Sequence, residues 1–179
     1  MDTFSRIWTT LQSEFSDMGD VEQATRVCLR LSMAVLLGAV LGYEREMRDS
    51  AAGLRTHMLV ALGAALFVLV PLEAGVSNAD LTRVLQGVVS GVGFLGAGAI
   101  IKLSDGRLVR GLTTAASIWT TAAIGVAAGM GREMTAIVST LLALGILAIL
   151  LRLEARARRR ADRQAHSSSE ALQRSQSAS

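Results

Sequence analysis

The sequence predicts an all-α, polytopic membrane protein with five transmembrane helices. Of the 179 residues, 51% are hydrophobic and only 18% are charged, whereas soluble globular domains carry about 25% charged residues. Several apolar stretches approach the roughly 20 residues that cross the hydrocarbon of a bilayer, and the basic residues gather in alternate loops. The chain is too hydrophobic for a disordered protein, and the single Cys28 excludes a disulfide scaffold.

Residues 1–20 are predicted to form an amphipathic leader that lies on the outer membrane face. Its apolar residues recur at steps of three and four: Phe4, Ile7, Trp8, Leu11, Phe15 and Met18. Polar residues occupy most of the positions between them, as expected for a helix with one apolar side. The alternative reading is a leader that is disordered or faces a protein partner.

Residues 21–151 form the predicted transmembrane domain, with spans at about 24–43, 53–72, 84–101, 111–131 and 134–151. The last three contain long uncharged stretches, whereas the second begins with Arg55 and His57 at the level of the headgroups. The first contains Arg30, which we expect to snorkel toward the interface. Residues 152–179 are predicted to be a basic and then disordered cytoplasmic tail. This tail lacks the aromatic residues and the folded context of a nucleic-acid binder, so no nucleic-acid partner is expected.

The distribution of lysine and arginine predicts the orientation. Thirteen of these residues lie in the loop 44–57, the loop 102–110 and the tail, whereas four lie on the opposite side and Arg30 lies inside a span. Because basic loops stay in the cytoplasm, the N-terminus is predicted to be periplasmic and the C-terminus cytoplasmic.

An internal repeat is predicted with an offset of 58 residues. Nine identities occur over the 36 positions from Ala34 to Leu69, among them the pair Gly53-Leu54 and Gly111-Leu112, each followed by a threonine two residues on. Spans one and two would form one helical hairpin, and spans three and four a second hairpin of the same orientation. Such parallel repeats are related by an axis along the membrane normal, and the fifth helix is an addition to them.

Four blocks of sequence resemble the signatures of the MgtC/SapB family of bacterial inner-membrane proteins. They are LLGAVLGYERE (36–46), AGLRTHMLVALGAALF (52–67), VVSGVGFLGAGAII (88–101) and VRGLTTAASIWTTAAIGVAAGMG (109–131). The resemblance implies a multi-pass protein of the bacterial inner membrane that serves growth in low magnesium and, in pathogens, virulence and survival inside macrophages. It also implies a regulator of membrane energetics whose partner is the F-type ATP synthase. The longer members carry a soluble C-terminal domain, and here a basic tail stands in its place.

One polar cluster on the cytoplasmic side is the predicted functional site. Carboxylates at the end of the first span need positive partners, because the helix dipole disfavours them there, and the basic residues and helix starts of that side can supply them. The predicted members are Glu44, Arg45, Glu46, Arg55, Thr56, His57, Lys102, Arg110, Thr113 and Thr114. The cluster could bind an ion, relay protons or dock a partner, or it could be a salt-bridge network that only holds helix ends.

No enzymatic activity, catalytic residue, cofactor or metal site is expected, because no nucleophile and base are paired and no ligand spacing is diagnostic. The function expected first is therefore a non-enzymatic regulator, with a small ion transporter or channel at the repeat axis as the alternative.

Three pairs of glycines have the spacing that lets helices approach closely: Gly38 with Gly42, Gly87 with Gly91 and Gly125 with Gly129. Packing inside the bundle is the first reading of these pairs. A homodimer through one of these faces is the alternative.

Overall fold

The computed structural model describes residues 3–14, 20–102 and 109–149, and these residues are almost entirely helical. The helices are α1 (Thr3–Glu14), α2 (Val21–Glu46), α3 (Leu54–Glu73), α4 (Asn78–Ala99), α5 (Leu112–Gly129) and α6 (Glu133–Ile149). A two-residue antiparallel ladder joins β1 (Ile101–Lys102) to β2 (Val109–Arg110), with Ile101 opposite Arg110. The all-α prediction is confirmed, and the ladder is a small addition between α4 and α5.

The chain forms two compact units, Met1–Thr140 and Leu141–Ser179. The first contains helices α1 to α5 and the start of α6. Of the second, the structure describes residues 141–149, which are helical. The predicted tail at 152–179 lies outside the described residues.

Among the described residues, three helices are long and apolar enough to cross a membrane: α2, α3 and α5. Each overlaps one of the predicted spans: α2 extends beyond 24–43 at both ends, α3 is displaced by one residue from 53–72, and α5 lies within 111–131. Helix α6 is apolar but shorter within the described residues, and α4 is not among the helices that meet this criterion. Three of the five predicted spans therefore have a helix with the length and composition of a membrane span.

Local signals explain where several helices begin and end. The Asp20 side chain accepts a hydrogen bond from the backbone N–H of Glu22 at the start of α2, which satisfies one of the free N–H groups of the first turn. Helix α5 ends at Gly129, and two residues later Gly131 has a left-handed φ of +71°. There the N–H groups of Gly131 and Arg132 donate to Ala128 and Ala127, the pattern of a Schellman cap.

Helix α3 lies between α2 and α5, and glycines allow the close approach on both sides. A Cβ atom on Gly38 of α2 would lie 2.7 Å from the carbonyl oxygen of His57 and 2.9 Å from Cβ of Ala61. On the other side, a Cβ on Gly125 of α5 would meet the carbonyl oxygen of Ala61, and one on Gly129 would meet that of Ala65. Helix α3 is thus in backbone contact with both neighbours, as in close helix pairs of membrane proteins.

The contacts also define the helix directions within the first unit. Gly42 of α2 lies against Leu54 at the start of α3, whereas Arg30 pairs with Glu73 at its end, so α2 and α3 are antiparallel. Ser117 near the start of α5 contacts His57, and Gly129 at its end faces Ala65. Helices α3 and α5 are therefore parallel.

Helix α4 packs along one narrow face. Its buried residues are Leu81, Val92 and Gly96, and Val92 joins a small apolar core with Ile118 and Ala122 of α5. A Cβ on Gly96 would be at an ordinary 3.6 Å from Cβ of Ala115. Most of the other α4 side chains are exposed in the described structure, so α4 is the least enclosed of helices α2 to α5.

Candidate functional site

The candidate site lies where α2 ends, α3 begins and α5 begins, and the loop 47–53 crosses it. A carboxylate holds the start of α3: Oε2 of Glu46 accepts a hydrogen bond of 2.7 Å from the backbone N–H of Leu54. Gly53 comes just before this helix, and a Cβ there would lie 2.7 Å from the same oxygen. Glu46 therefore caps α3 from the preceding helix, in the place of the usual N-cap side chain.

Beside this cap, Glu44 is held by two arginines. Its Oε2 lies 2.6 Å from Nε of Arg45, and its Oε1 lies 3.4 Å from Nε of Arg48. The side chain of Arg45 is only 7% exposed, which is rare for a charged residue without a partner. Because the carboxylate neutralises this buried guanidinium, the two side chains form an ion pair that is largely shielded from solvent.

His57 is fully buried one turn into α3 and links that helix to α5. Its Nδ1 lies 2.8 Å from the carbonyl oxygen of Gly53, and its Nε2 lies 3.1 Å from Oγ of Ser117. A carbonyl oxygen can only accept, so Nδ1 carries the proton of the first bond. When the ring is neutral, Nε2 is the acceptor for the Ser117 hydroxyl.

The hydroxyl of Ser117 also has a second acceptor, the carbonyl oxygen of Thr114 at 2.8 Å. With a single proton, Ser117 can donate to only one acceptor at a time. The Thr114 hydroxyl lies 2.9 Å from that of Ser50 in the loop 47–53. The contact of His57 with Ser117 joins the first turn of α3 to α5, and the contact of Ser50 with Thr114 joins the loop 47–53 to the first turn of α5.

The structure brings together only part of the predicted cluster. Glu44, Arg45, Glu46, His57 and Thr114 lie in it, and Glu44 and Arg45 are close enough to His57 to interact with it electrostatically. Arg55, Thr56 and Thr113 are exposed instead and have no hydrogen bond or ion pair with another described side chain. The side chains of Lys102 and Arg110 lie outside the described residues, and only their backbones are placed, in the β1–β2 ladder.

Ser50 and Ser117 are the members of this site that the predicted cluster lacks. Both contribute single hydroxyl groups, which are common in loops and helices and carry no distinctive spacing. Within the described residues, no three His, Cys, Asp or Glu side chains lie together as a metal site would require.

A second polar group lies at the opposite end of α3, and the sequence did not predict it. Nη1 of Arg30 lies 3.7 Å from Oε1 of Glu73 and 3.5 Å from the carbonyl oxygen of Gly129. The amide of Gln23 donates to the other oxygen of Glu73 at 3.0 Å. Arg30, which was expected to snorkel toward the interface, joins α2 to the end of α3, 43 residues away in sequence, and to the end of α5, 99 residues away. The cation also suits the carbonyl end of α5, where the helix dipole is negative.

The third glycine pair does not pack on a helix within the described part of the chain. A Cβ on Gly87 or Gly91 would have no atom within 4 Å, because α4 contacts its neighbours through another face. Both glycines instead line an apolar groove of about 650 Å³ between α3 and α4. Its other lining residues are Leu59, Val60, Gly63, Ala64, Phe67, Val84, Val88, Val92 and Leu95.

The fold defines a helical protein with three helices, among its described residues, that are long and apolar enough to cross a membrane. The chain belongs to the MgtC family, whose profile matches residues 31–156. This result confirms the family resemblance seen in the four sequence blocks.

Three relatives illustrate the similarity. The chain is 46% identical over 116 residues to Protein MgtC of Salmonella typhimurium (65% of this chain, 48% of that protein). It is 48% identical over 127 residues to Protein MgtC of Brucella abortus (70% and 51%). It is 45% identical over 136 residues to Protein SrpB of Synechococcus elongatus (70% and 75%). The match spans about half the length of the two MgtC proteins. No solved structure matches the chain.

Proposed function

We propose that this protein is a non-enzymatic regulator in the bacterial inner membrane that acts by helix contact with another membrane complex during magnesium limitation. The F-type ATP synthase is the partner that the family resemblance suggests. The same resemblance suggests a part in virulence and intramacrophage survival where the host bacterium is a pathogen. Each of these roles is proposed for a chain that matches only half of the MgtC proteins named above.

The open face of α4 carries the proposal. Gly87 and Gly91 form a flat apolar strip beside a groove, whereas the other two glycine pairs are already in contact with α3. Small residues at helix interfaces of membrane proteins let another backbone approach closely. A helix of a partner complex can therefore reach α4 without any rearrangement of the α2, α3 and α5 core.

The tight core favours regulation over conduction. Between the site around His57 and the Arg30 and Glu73 pair, α3 presents Ala61, Ala65 and other apolar residues to its neighbours. Glycines of α2 and α5 press directly on this backbone. The interface of these three helices thus has no continuous row of polar side chains that could replace the hydration of an ion.

A pair of glycine substitutions on α4 tests the proposal in a deletion strain. Gly91→Val fills the groove, whereas Gly93→Val adds the same side chain outside it, and neither Cβ has an atom within 4 Å. Both variants should therefore accumulate normally in the membrane. We expect Gly91→Val to fail to restore growth at low magnesium and to lose the co-purifying partner, and Gly93→Val to behave as wild type. Equal growth of the two variants, or normal growth of the deletion strain at every magnesium concentration, would refute the proposal.

A small ion transporter is the second candidate, and the buried charges favour it. Ionisable residues at membrane depth often belong to ion or proton pathways, and both Arg45 and His57 are buried. One turn beyond Ser117, the Thr121 hydroxyl is buried and has no hydrogen-bond partner within the described residues. Flux measurements on purified protein in liposomes discriminate between the candidates. Ion-selective flux that Glu44→Gln or His57→Gln abolishes would establish transport, and no flux would favour regulation.

We also propose the complete five-span topology with a periplasmic N-terminus. Helix α4 has 22 residues, enough for about 33 Å of helix. The thirteen-to-four distribution of basic residues supports the orientation. Thiol labelling in a Cys28→Ser background tests it: Asn78→Cys should react with an impermeant reagent in intact spheroplasts, and Arg48→Cys only after lysis.

The contacts of two glycines support the proposed repeat. Gly38 faces His57, and Gly96 faces Ala115. Each residue of the second contact lies 58 positions after its counterpart in the first, which is the offset of the proposed repeat. A structure in which α2 and α3 do not superpose on α4 and α5 would refute it.

A further inference from the structure

The short helix α1 carries an apolar face that no described residue covers. None of its residues is buried, and Phe4, Ile7, Trp8 and Leu11 are 77%, 54%, 56% and 47% exposed. At 100° per residue these four side chains fall within an arc of about 100°, the width of the apolar stripe on an amphipathic helix. Such a face in water is costly and calls for an apolar environment.

The opposite side of α1 is polar. The hydroxyl of Thr9 donates to the carbonyl oxygen of Ser5 at 2.9 Å, and the hydroxyl of Thr10 donates to the carbonyl oxygen of Arg6 at 2.8 Å. Ser13 similarly donates to the carbonyl oxygen of Thr10. This side is therefore polar, and it can face water or lipid headgroups.

We infer that α1 binds the surface of the bilayer through neutral lipid rather than through anionic headgroups. Residues 1–20 contain four carboxylates, at Asp2, Glu14, Asp17 and Asp20, and only one basic residue, Arg6. Basic amphipathic helices gain affinity from anionic lipid, whereas this segment is repelled by it. The insertion of Phe4, Ile7, Trp8 and Leu11 into the boundary between headgroups and acyl chains supplies the binding, and Trp8 is well suited to that depth.

The connection to α2 explains how four apolar side chains suffice. Six residues, 15–20, separate α1 from the first residue of α2, and six residues reach at most about 22 Å. Because α2 has the length and composition of a membrane span, α1 cannot move far from the membrane surface. Because this short connection keeps α1 close to the bilayer, the effective concentration of lipid around α1 is high. Weak insertion of its apolar side chains is therefore enough to keep α1 bound to the membrane surface.

The two tryptophans of the chain allow a direct test in the full-length protein. Trp119→Phe leaves Trp8 as the only tryptophan, and Trp8→Phe leaves Trp119. Trp119 lies seven residues into α5, which is about 10 Å from the start of that helix. Because it is 51% exposed, lipid at that depth can quench its fluorescence. Both variants are reconstituted in phosphatidylcholine vesicles whose acyl chains are brominated either close to the headgroup or close to the chain end.

We expect Trp8 to be quenched most by the shallow bromines and Trp119 most by the deep ones. Trp8 should be protected from aqueous iodide. The addition of phosphatidylglycerol should leave the quenching of Trp8 by the shallow bromines unchanged or reduce it. Leu11→Asp in the Trp119→Phe background should abolish the shallow quenching. The matched variant Ser13→Asp, which adds the same charge to the polar side, should keep it.

Three results would overturn the inference. Quenching of Trp8 by iodide but not by lipid would show that α1 is in water. Protection from both quenchers would show that protein, either a partner or a second copy of the chain, covers it. Quenching that requires phosphatidylglycerol would show that anionic lipid is the ligand. This test does not depend on the proposed regulatory function, because it measures only where α1 lies.

Discussion

The contact between α2 and α3 at Gly38 provides the sharpest prediction about stability. Gly38→Ala would place a Cβ atom 2.9 Å from Cβ of Ala61 and 2.7 Å from the carbonyl oxygen of His57. Carbon atoms pack best at about 3.5–4.0 Å, so the helices must separate by about 0.6 Å or more. A gap of about 0.5–1 Å forfeits a quarter to a half of each dispersion contact across the interface.

We therefore expect Gly38→Ala to lower the free energy of unfolding by about 1–3 kcal/mol, the usual cost of overpacking. This loss occurs although alanine favours a helix over glycine by about 1 kcal/mol. Gly91→Ala is the control, because its Cβ would have no atom within 4 Å and only the helix preference remains. Reversible unfolding in mixed micelles, followed by circular dichroism, measures both variants.

Adding Gly42→Ala to Gly38→Ala extends this test. One displacement of α2 relieves both contacts, so the cost of the double variant should be smaller than the sum of the single costs. The reasoning is refuted if Gly38→Ala is as stable as Gly91→Ala. It is also refuted if the costs of the two α2 substitutions simply add.

Three further predictions concern the polar contacts, each measured by the same unfolding assay. Ser117→Ala should cost about 1–3 kcal/mol, because it leaves Nε2 of the buried His57 without its partner. In the His57→Ala background the same substitution should cost less, because that nitrogen is then absent. Glu46→Ala should cost about 0.5–2 kcal/mol, the usual value of a lost N-cap, and Glu46→Gln should cost less because its amide oxygen still accepts. Arg30→Met should destabilise the protein by leaving the Glu73 carboxylate unpaired, and the addition of Glu73→Gln should restore part of the loss.

Each of these predictions has a clear contrary result. Additive costs at His57 and Ser117 would mean that the two side chains are not coupled. Equal stabilities of Glu46→Gln and Glu46→Ala would show that the cap is not a hydrogen bond. A double variant at Arg30 and Glu73 that is less stable than Arg30→Met alone would show that the hydrogen bond from Gln23 is enough to hold the Glu73 carboxylate without Arg30.

The polar site illustrates what could be predicted and what could not. The carboxylates, arginines and His57 at the end of the first span were predictable, because the chain concentrates charge there and membrane spans bring helix ends together. Their pairing was not predictable, since Arg55 and Arg45 are equally basic in sequence. Only the fold buries Arg45 at 6% exposure and leaves Arg55 exposed.

The glycine pairs show the same limit. Spacing alone identifies helix faces that can be approached closely, and all three pairs have that spacing. Gly38 with Gly42 and Gly125 with Gly129 meet the backbone of α3, whereas Gly87 and Gly91 meet nothing in the described structure. A helix face with small residues allows another helix to pack closely against it. Whether a helix does pack there depends on how the other helices are arranged in the fold.

The sequence by itself determined the family, the all-helical class and the position of the long apolar helices, because these depend on local composition and on runs of neighbouring residues. The tertiary structure decided the contacts between distant residues: Arg30 with Glu73, His57 with Ser117, and Ser50 with Thr114. Periodicity along one helix does not specify which partner lies opposite a side chain. That choice is made when α3 packs between α2 and α5, and it places one polar group at each end of the same helix.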